Sequence, residues 1–550
     1  MEINITVKFF NYIYNRPFYC LFLEETMPVL LKFLAIMLCA VLIACGGSSN
    51  EENELPDENI PAEDSDTAMP DENDEDSNPV SDTDSAVEEN DEDENSDADS
   101  PENDNETPGD DSDGTPGDDS DYEELQTGGI YIFSEFDESG NAQSREILGN
   151  GGFFGFSIMT LSDKYWAVSA IHESIPAFDW DKATGKLYIF EKEKKIEKLE
   201  DAAFVLNHPD KSVNVGFGYA ATELCDINGD GFDDIAVSSH LATFNNLSAA
   251  GEIVVFYGGA SGWKEENSSI SRLSSEYIQK ADSMSQSLAC LDYDGDGFAD
   301  IFAGGQNAGP ELTGGGSQGM VAFFKGSAAG LSEHESWVLL PEVEEKGQYF
   351  GSGMIIDDLD GDSKPDLAVA GWGLRELREG GYEHFGGGIY IYSGGTDWQE
   401  GATHKIFWAD SSQFGSVIKT VEIGGKKYLA SLAPKDNLYG TISFFDPLEN
   451  FEPRLDLLFL LPSYLYSDDN KISDFDMIKL SDDTDLIIAG GKNFGDGGMI
   501  FCATVKDGTI SEPKACKFQP ETPEGGFGYS VKNIGNGKIV VGKPEYIHRF

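Results

Sequence analysis

The chain has 550 residues and a formal net charge of −65, with 101 acidic against 36 basic side chains. A surface this acidic argues against nucleic acid and anionic lipid headgroups as partners and suits divalent cations. Seven cysteines are too few for a disulfide scaffold in a chain of this length, so the folded part must be held together by apolar burial.

An export signal is predicted near the N-terminus. From Met27 the sequence has one lysine, an apolar run to Ala44 and then Cys45, which is typical of a signal peptide. The ending Leu-Ile-Ala-Cys resembles a bacterial lipobox, and that resemblance implies cleavage before Cys45, lipidation of its sulfur and anchoring by acyl chains. A transmembrane helix is the alternative, although the run is barely long enough to cross a bilayer. We expect Met27 to be the true start and residues 1–44 to form the signal region.

An acidic tether is predicted to follow the lipidated cysteine, over residues 45–127. Residues 46–125 contain 34 acidic side chains and no Lys or Arg, and the heptapeptide TPGDDSD occurs twice. So polar a segment cannot bury enough apolar surface to offset its chain entropy, and like charges extend it further. We therefore expect a disordered spacer between membrane and folded domain; a calcium-buffering or protein-docking tail is the alternative.

Three acidic stretches recur at a constant spacing in the remaining chain. They are residues 226–234 (DINGDGFDD), 292–300 (DYDGDGFAD) and 358–366 (DLDGDSKPD), and each begins 66 residues after the one before. A cation-binding turn repeated at constant pitch indicates a repeat architecture.

Two kinds of predicted strand recur with these turns. Seven copies of an inner strand open with Phe-Gly or a degenerate relative, as at Phe154 and Phe217, and six Gly-led strands rich in β-branched and aromatic residues follow them. The seventh inner strand, at Phe527, has no Gly-led strand after it, whereas residues 129–133 (GIYIF) stand alone before the first copy. An N-terminal strand that completes the last sheet would close a ring and leave no open edge. We predict an all-β fold, a seven-bladed β-propeller over residues 128–550; an open stack of β-sandwiches is the alternative.

The spacing of the acidic residues predicts calcium ligands. Ca²⁺ takes six to eight oxygen ligands, which alternate positions of a tight turn can supply as carboxylates, together with one backbone carbonyl. An EF-hand would need a Glu at the twelfth position, where Val237, Ala303 and Val369 stand instead. The predicted ligands are Asp226, Asn228, Asp230, Asp234 and the carbonyl of Phe232; Asp292, Asp294, Asp296, Asp300 and the carbonyl of Phe298; and Asp358, Asp360, Asp362, Asp366 and the carbonyl of Lys364.

Phe-Gly, then DxDGDGxxD, then an apolar strand and a Gly-led strand resemble the FG-GAP repeat of integrin α-chain propellers and their bacterial relatives. The resemblance covers roughly residues 128–550 and is specific for the second, third and fourth repeats. It implies three calcium ions that stabilise the scaffold. The other repeats depart from the pattern, with short hairpin turns expected around Asp163, Gly424, Asp482 and Asn536 and only a weak fourth candidate site at Asp482, Asp483 and Asp485.

No catalytic constellation is found in the sequence. The seven His share no repeated motif, and no phosphate-binding loop occurs. By analogy with integrins, a partner site is expected in the loops between second and third strands, with Trp372, Arg375 and Tyr382 as candidates, although packing is the alternative role for Trp372 and the expected role for Trp263. A disulfide between Cys502 and Cys516 is compatible with an exported protein, whereas Cys225 and Cys290 are expected to be separate buried residues.

These features predict an exported bacterial lipoprotein at the outer membrane or cell surface. Its propeller is expected to be a monomer that binds a protein or polysaccharide, with membrane contact through the lipid anchor only and no nucleic acid partner. The alternative is an extracytoplasmic hydrolase or lyase that acts on polysaccharide, because propellers host such chemistry.

Overall fold

The structure is a computed structural model, and it describes residues 7–10, 18–21, 128–173, 184–211, 215–274, 277, 283–309, 317–343, 345–378, 381–383, 386–408, 412–434, 440–462, 471–494, 497–520 and 525–544. The chain divides into two compact units, Met1–Asp113 and Gly114–Phe550. In the first unit, β1 (Val7–Phe10) pairs antiparallel with β2 (Phe18–Leu21). The predicted signal sequence from Met27, the lipidation site Cys45 and the acidic tether lie outside the described residues. No helix in the described ranges is long and apolar enough to cross a membrane.

The second unit begins with β3 (Gly129–Ser134) and β4 (Gln143–Leu148) and continues through six sheets that are consecutive in sequence. Blade 1 contains β5 (Phe154–Thr160), β6 (Tyr165–Ala170), β7 (Lys186–Glu191) and β8 (Phe204–Asn207). Blade 2 contains β9 (Phe217–Ala221), β10 (Ile235–Ser239), β11 (Glu252–Phe256) and β12 (Ser268–Ser271). Blade 3 contains β13 (Ser287–Leu291), β14 (Asp300–Gly305), β15 (Met320–Phe324) and β16 (Trp337–Leu339).

Blade 4 consists of β17 (Gly353–Asp357), β18 (Asp366–Gly371), β21 (Gly388–Tyr392) and β22 (His404–Phe407), with the small hairpin β19 (Glu376–Arg378) and β20 (Gly381–Glu383) between its second and third strands. Blade 5 consists of β23 (Val417–Ile423), β24 (Lys426–Ala433), β25 (Thr441–Asp446), β26 (Glu452–Pro453) and β27 (Phe459–Leu460). Blade 6 consists of β28 (Asp474–Ser481), β29 (Thr484–Gly491), β30 (Met499–Lys506), β31 (Thr509–Ile510) and β32 (Lys514–Ala515). Short 3₁₀ helices are formed by Leu199–Asp201, Trp398–Glu400, Pro447–Glu449 and Leu455–Leu457.

Blade 7 closes the ring by joining the two ends of the unit. Its inner strands are β33 (Val531–Gly535) and β34 (Lys538–Lys543), and β34 pairs with β3 from Gly129↔Lys543 to Phe133↔Ile539. The order β33-β34-β3-β4 shows that the N-terminal segment supplies two strands, where the sequence predicted only the first. The predicted seven-bladed propeller with N-terminal closure is therefore confirmed.

A close approach of neighbouring blades explains the Gly-led strands. Gly319 forms a parallel bridge with Phe350, and Gly387 forms one with Phe414, so each third strand begins against the Phe-Gly segment of the next blade. A Cβ atom on Gly319 would lie 2.2 Å from the backbone nitrogen of Phe350, and one on Gly387 would lie 2.0 Å from the carbonyl oxygen of Phe414. Both glycines also have positive φ angles, which a side chain disfavours.

The apolar core lies in layers between neighbouring blades. One layer joins Leu187 and Ile189 of blade 1 to Val237, Val254 and Phe256 of blade 2, all of which are fully buried. Because blade 2 is covered on both faces, its second and third strands are buried along their whole length, including Ser238, Ser239 and Glu252 beside the apolar residues.

The propeller has two faces at opposite ends of its strands. The connections between first and second strands form one face, which we name the turn face, and it includes the three acidic turns at 226–234, 292–300 and 358–366. The connections between second and third strands emerge at the opposite end of the antiparallel strands, and we name this the loop face. It includes the predicted partner loops, among them the blade 4 loop that follows Gly371 and contains the β19–β20 hairpin.

Candidate calcium turns and loop face

The carboxylates of two acidic turns converge as a cation site requires. One oxygen each from Asp292, Asp294 and Asp300 lie within 4.8 Å of one another, and the same holds for Asp358, Asp360 and Asp366. Oxygen ligands at 2.3–2.6 Å from Ca²⁺ are at most about 5 Å apart across the ion, so both groups fit its coordination sphere. Each group joins the end of an inner strand to the start of the second strand of one blade.

The last aspartate of each turn is a buried anchor. The Asp234, Asp300 and Asp366 carboxylates each accept two backbone N–H bonds, one from the second residue of their own turn and one from the glycine after the third strand. Their exposed fractions are 0, 0 and 2 %. Burial raises the pKa of Asp234 and Asp300 to about 6 and also raises the pKa of Asp366, against the lowering effect of these hydrogen bonds.

The first turn has the same backbone frame as the other two. The Asp226 carboxylate accepts from the Gly231 N–H at 2.9 Å, as Asp292 accepts from Gly297 at 3.0 Å. Its third position is Asn228, whose amide nitrogen donates to the Asp230 carboxylate at 3.1 Å. All three turns contain four aspartates, but in the first turn one of them is Asp233, which is not a predicted ligand. The ligand positions of this turn therefore have one acid fewer, and the amide oxygen of Asn228 takes its place.

Lys325 gives the second turn a counter-charge of its own. This lysine follows β15, and its ammonium contacts the Asp294 carboxylate and lies 2.9 Å from that of Asp296. The hydrogen bonds that the ammonium donates to both carboxylates raise the pKa of Lys325. The equivalent positions after the third strands of blades 2 and 4 are Tyr257 and Ser393, so the second turn differs from the others in this respect.

The fifth and seventh positions of the turns are partly committed to local contacts. Asp230, Asp296 and Asp362 each accept a hydrogen bond from the backbone N–H two residues later, at Phe232, Phe298 and Lys364 respectively. The Lys364 ammonium lies 3.4 Å from the Asp362 carboxylate. Phe232 is 44 % exposed at its turn. The fifth-position acids therefore hold the backbone of the seventh residues, whose carbonyls are the predicted ligands.

The other blades have tight turns, as predicted. Two residues, Gly424 and Gly425, separate paired Ile423 and Lys426, and the turns of blades 6 and 7 are equally short. In the weak fourth candidate site, the three acids face different groups. Asp483 lies 2.9 Å from the Lys506 ammonium, Asp485 accepts from the Gly424 N–H at 3.2 Å, and Asp482 is exposed beside Lys479.

The expectation for Cys225 and Cys290 was wrong, because the structure joins them in a disulfide. Cys225 leads into the blade 2 turn, Cys290 lies on β13 of blade 3, and their Cα atoms are 6.7 Å apart. Inner strands of successive blades converge towards the ring axis, so equivalent positions of two repeats meet there. Cys502 and Cys516 also form a disulfide, with an S–S distance of 2.04 Å, within blade 6.

Trp372 forms an aromatic platform on the loop face. Its ring stacks on Tyr349 with centroids 3.5 Å apart and planes at 14°, and its Nε1 donates to the Gln306 side chain at 3.1 Å. In the same loop, Arg375 pairs with Glu345. Tyr382 lies opposite Leu377 in the β19–β20 hairpin, and its side chain falls outside the described residues. Trp263 is buried between Tyr165 and Phe204, which confirms its packing role.

An aromatic arc near the ring axis was missed by the sequence analysis. Tyr529, Phe156 and Tyr219 occupy the third position of the Phe-Gly motif in blades 7, 1 and 2, and their neighbouring ring centroids are 4.9 and 5.3 Å apart. Tyr219 also contacts His240, whose pKa burial lowers to about 4, so that this imidazole is neutral at pH 7. The sequence feature that could have predicted this arc is the aromatic residue directly after Phe-Gly in three of the repeats.

A buried ion-pair cluster joins blades 5, 6 and 7. The Lys419 ammonium lies 2.9 Å from the Asp474 carboxylate, 3.6 Å from Asp476 and 3.0 Å from the carbonyl oxygen of Val531. Burial alone would lower the pKa of Lys419, but the two carboxylates raise it above its ordinary value. Asp474 and Asp476 also accept the backbone N–H groups of Val531 and Asn533.

Residues 217–256 match the family model described as FG-GAP repeat. The match begins at Phe217, the first residue of β9, and ends at Phe256, the last residue of β11, so that it contains the first acidic turn. Repeats of this family generally bind calcium, and the acidic groups of the following two turns have the corresponding arrangement. A propeller of such repeats is a scaffold suited to recognition.

Proposed function

Because the chain is an FG-GAP β-propeller, we propose that it is a calcium-stabilised recognition module, displayed on a bacterial surface, whose loop face binds a protein or polysaccharide partner. The observation that carries this proposal is the Trp372 platform. A large aromatic ring held by a stacked tyrosine and a hydrogen bond presents apolar surface with little conformational entropy left to lose on binding.

The acidic turns take a structural role in this proposal. Three Ca²⁺ ions would each neutralise the acids of one turn and fix the inner hairpin of blade 2, 3 or 4. Their ligands would be Asp226, Asn228, Asp230 and Asp234 with the Phe232 carbonyl, Asp292, Asp294, Asp296 and Asp300 with the Phe298 carbonyl, and Asp358, Asp360, Asp362 and Asp366 with the Lys364 carbonyl. The ions would lie on the face opposite the partner.

We infer display at the surface from the pattern of the N-terminal sequence. Lipidation of Cys45 would anchor the chain in a bacterial membrane, and the acidic tether of residues 45–127 would hold the propeller away from it. This placement exposes the loop face to soluble or surface-bound partners.

A binding role fits the acids on the loop face better than catalysis does. Glu173 is buried and receives hydrogen bonds from the Lys186 ammonium and the Tyr188 hydroxyl, both at 2.7 Å. Glu252 is buried against His208, at 2.6 Å, and Arg272, at 2.5 Å. Both carboxylates are therefore already engaged by cationic or hydroxyl groups of the propeller itself.

Retention and product release separate recognition from catalysis. The full chain, purified in detergent, is passed over immobilised polysaccharides and surface proteins, and the eluate is searched for cleaved products. We expect calcium-dependent retention without cleavage and at least a tenfold loss of affinity in Trp372→Ala. The control is Trp263→Phe, which keeps an aromatic ring at a buried position away from the loop face. Turnover that Glu173→Gln abolishes would support the hydrolase or lyase alternative instead.

A further inference from the structure

A cleft opens on the turn face where blade 7 meets blade 1, at the junction that closes the ring. We name it the closure cleft. Its volume is about 330 Å³, within the range of small-ligand sites. One wall is the β3–β4 hairpin of blade 7 with the neighbouring β33–β34 hairpin, and the other is the segment that follows β7 in blade 1. The structure describes every residue of both walls.

The closure cleft concentrates positive charge in an acidic domain. Residues 126–550 have a net charge of −31, yet five basic side chains line this cleft. They are Arg145, Lys192, Lys194, Lys195 and Lys538. Two of them have carboxylate partners, because Lys194 lies 3.2 Å from Glu191 and Lys195 pairs with Glu197. The other three contact backbone carbonyl groups or lie buried, as described next.

Backbone carbonyl groups position two of these cations across the junction. The Arg145 guanidinium of blade 7 donates to the carbonyl oxygen of Ile196 at 2.8 Å, and the Lys538 ammonium donates to that of Lys192 at 2.7 Å. A carbonyl oxygen holds a cation in place without neutralising its charge. A guanidinium has five N–H groups in a planar fork, so Arg145 can also bind an oxyanion while it keeps this contact.

Lys192 adds a third positive charge in a buried position. Only 6 % of its surface is exposed, and burial lowers the pKa of its amine although Asp163 and Glu223 act in the opposite direction. A bound anion would offset the lost hydration that opposes the charged form. Three cations at one cleft match the charge of a phosphate monoester, about −1.5 to −2, better than the single charge of a carboxylate.

Two carboxylates also line the cleft, and both bind neutral amides. Glu135 accepts a hydrogen bond from the Gln143 side chain, and Glu193 accepts one from that of Asn536 at 2.8 Å. Both glutamates are exposed, so solvent and salt screen their repulsion of an anion.

The rest of the lining suits a sugar ring. Ile196 and Ile534 are buried, and the half-buried Ile132 packs against them, so that these three side chains give the cleft an apolar floor. Ser134 and Ser144 add hydroxyl groups that can donate and accept hydrogen bonds. A sugar has apolar ring faces and a hydroxylated edge, and it would use both parts of this lining.

We propose that the closure cleft binds a phosphorylated sugar, with the phosphate at Arg145 and Lys538 and the sugar ring on the isoleucine floor. This site lies on the face opposite the Trp372 platform and does not depend on the recognition function proposed for the loop face. Free sugar phosphates and phosphorylated polysaccharides present the same chemical group, and the experiment below separates these two sources.

Calorimetric titration of the full chain in calcium tests the assignment, with mannose 6-phosphate, mannose and glucuronate as probes. We expect the phosphate ester to bind at least tenfold more tightly than mannose and at least threefold more tightly than glucuronate. Its affinity should fall as salt is added, because charge attraction contributes to binding.

Arg145→Gln and Lys538→Gln should each lower the affinity for mannose 6-phosphate at least fivefold, because each removes one positive charge from the cleft. The matched control is Lys198→Gln, which removes an exposed positive charge from the same segment of blade 1 outside the cleft lining. This control should change the affinity less than twofold, and so should Trp372→Ala on the opposite face.

Mannan that carries 6-phosphate groups is titrated beside the monosaccharide to separate the two sources. Tighter binding per phosphate group of the polymer indicates a polysaccharide ligand, whereas equal affinity indicates the free sugar phosphate.

Three results would overturn the assignment. They are equal affinity for mannose 6-phosphate and mannose, tighter binding of glucuronate or of a phosphoserine peptide than of the sugar phosphate, and unchanged affinity in both cleft variants with unaltered melting temperatures. Loss of Trp372-dependent retention would count against the recognition function of the loop face alone, because that site and the closure cleft lie on opposite faces.

Discussion

Blades 2 to 4 and blades 5 to 7 differ in how negative charge is placed around their inner strands. In blades 2 to 4 the acids lie in nine-residue turns at the turn face, and in blades 3 and 4 carboxylate oxygens from three acids of each turn lie within 4.8 Å of one another. In blade 6 the acids Asp474 and Asp476 lie on the inner strand itself, where Lys419 of blade 5 pairs with both and Lys532 of blade 7 lies 4.0 Å from Asp476. On the proposed calcium assignment, blades 2 to 4 would take their counter-ions from solution, whereas blades 5 to 7 supply protein cations of their own.

Removal of calcium should have the largest effect and should act on blades 2 to 4 alone. With a Kd of about 10⁻⁴ M and about 10 mM Ca²⁺, each ion stabilises the fold by about 2.7 kcal/mol. Three ions then contribute about 8 kcal/mol, so chelation should lower Tm by on the order of 10 °C in a domain of this size. Calorimetric melting with and without chelator measures this. A variant with Asp226, Asp292 and Asp358 changed to Ala should lose most of the chelator effect; an unchanged wild-type Tm would contradict the assignment.

Lys419→Met should destabilise the ion-pair cluster of blades 5 to 7. It leaves the largely buried Asp474 carboxylate without a cation and Asp476 with Lys532 alone, at 4.0 Å, which costs up to about 3–5 kcal/mol. Denaturant unfolding should show this loss equally with and without calcium. Addition of Asp474→Asn and Asp476→Asn to Lys419→Met should recover most of the loss, because neither carboxylate then remains. A loss that appeared only in the presence of calcium would show that the two halves are coupled.

The pH dependence of the calcium-free protein should come partly from the buried anchors. The pKa of Asp300 is about 6 in the folded state against 3.8 for the ordinary group, so its folded form binds more protons between these values. The free energy of unfolding should therefore fall as the pH rises through 6. Asp300→Asn, which resembles the protonated acid, should stabilise calcium-free protein by at most about 3 kcal/mol at pH 7.5 and by only about 1 kcal/mol at pH 4.5.

Denaturant unfolding of both proteins at the two pH values measures this difference. Asp482→Asn is the control, because that carboxylate is fully exposed in the blade 6 turn. In calcium the sign should reverse at pH 7.5, since Asp300→Asn removes a ligand charge. The same stabilisation at both pH values would show that the anchor does not titrate as described.

Lys325→Met should have the smallest effect and sharpen the comparison within blades 2 to 4. The ammonium must leave Asp294 and Asp296 before an ion binds there, and a solvent-exposed pair of this kind opposes binding only weakly. Calcium affinity of the second turn should rise about threefold to fivefold. Calcium is titrated into variants whose first and third turns can no longer bind the ion. Lys264→Met, an exposed lysine away from the turn, should leave the affinity unchanged.

The propeller could be predicted because its evidence is local and repeated. The 66-residue pitch, the Phe-Gly openings and the displaced strand at Gly129 are properties of short segments, and ring closure through β34 and β3 confirmed them. The second N-terminal strand, β4, was missed because its sequence, QSREIL, lacks the Gly-led apolar pattern of the inner strands. An outer strand pairs with only one neighbouring strand and is exposed to solvent, so many different residues are tolerated along it.

The sequence by itself determined the number of blades, the position of the acidic turns and the face opposite them, because backbone conformation and side-chain burial in each repeat follow from short-range patterns. Only the tertiary structure decided what meets at the ring axis. Cys225 meets Cys290 over 65 residues, Lys419 meets Val531 over 112, and Phe156 meets Tyr529 across the closure. The physical reason is that the convergence of inner strands depends on the curvature of the whole ring, to which every blade contributes and which no single repeat specifies.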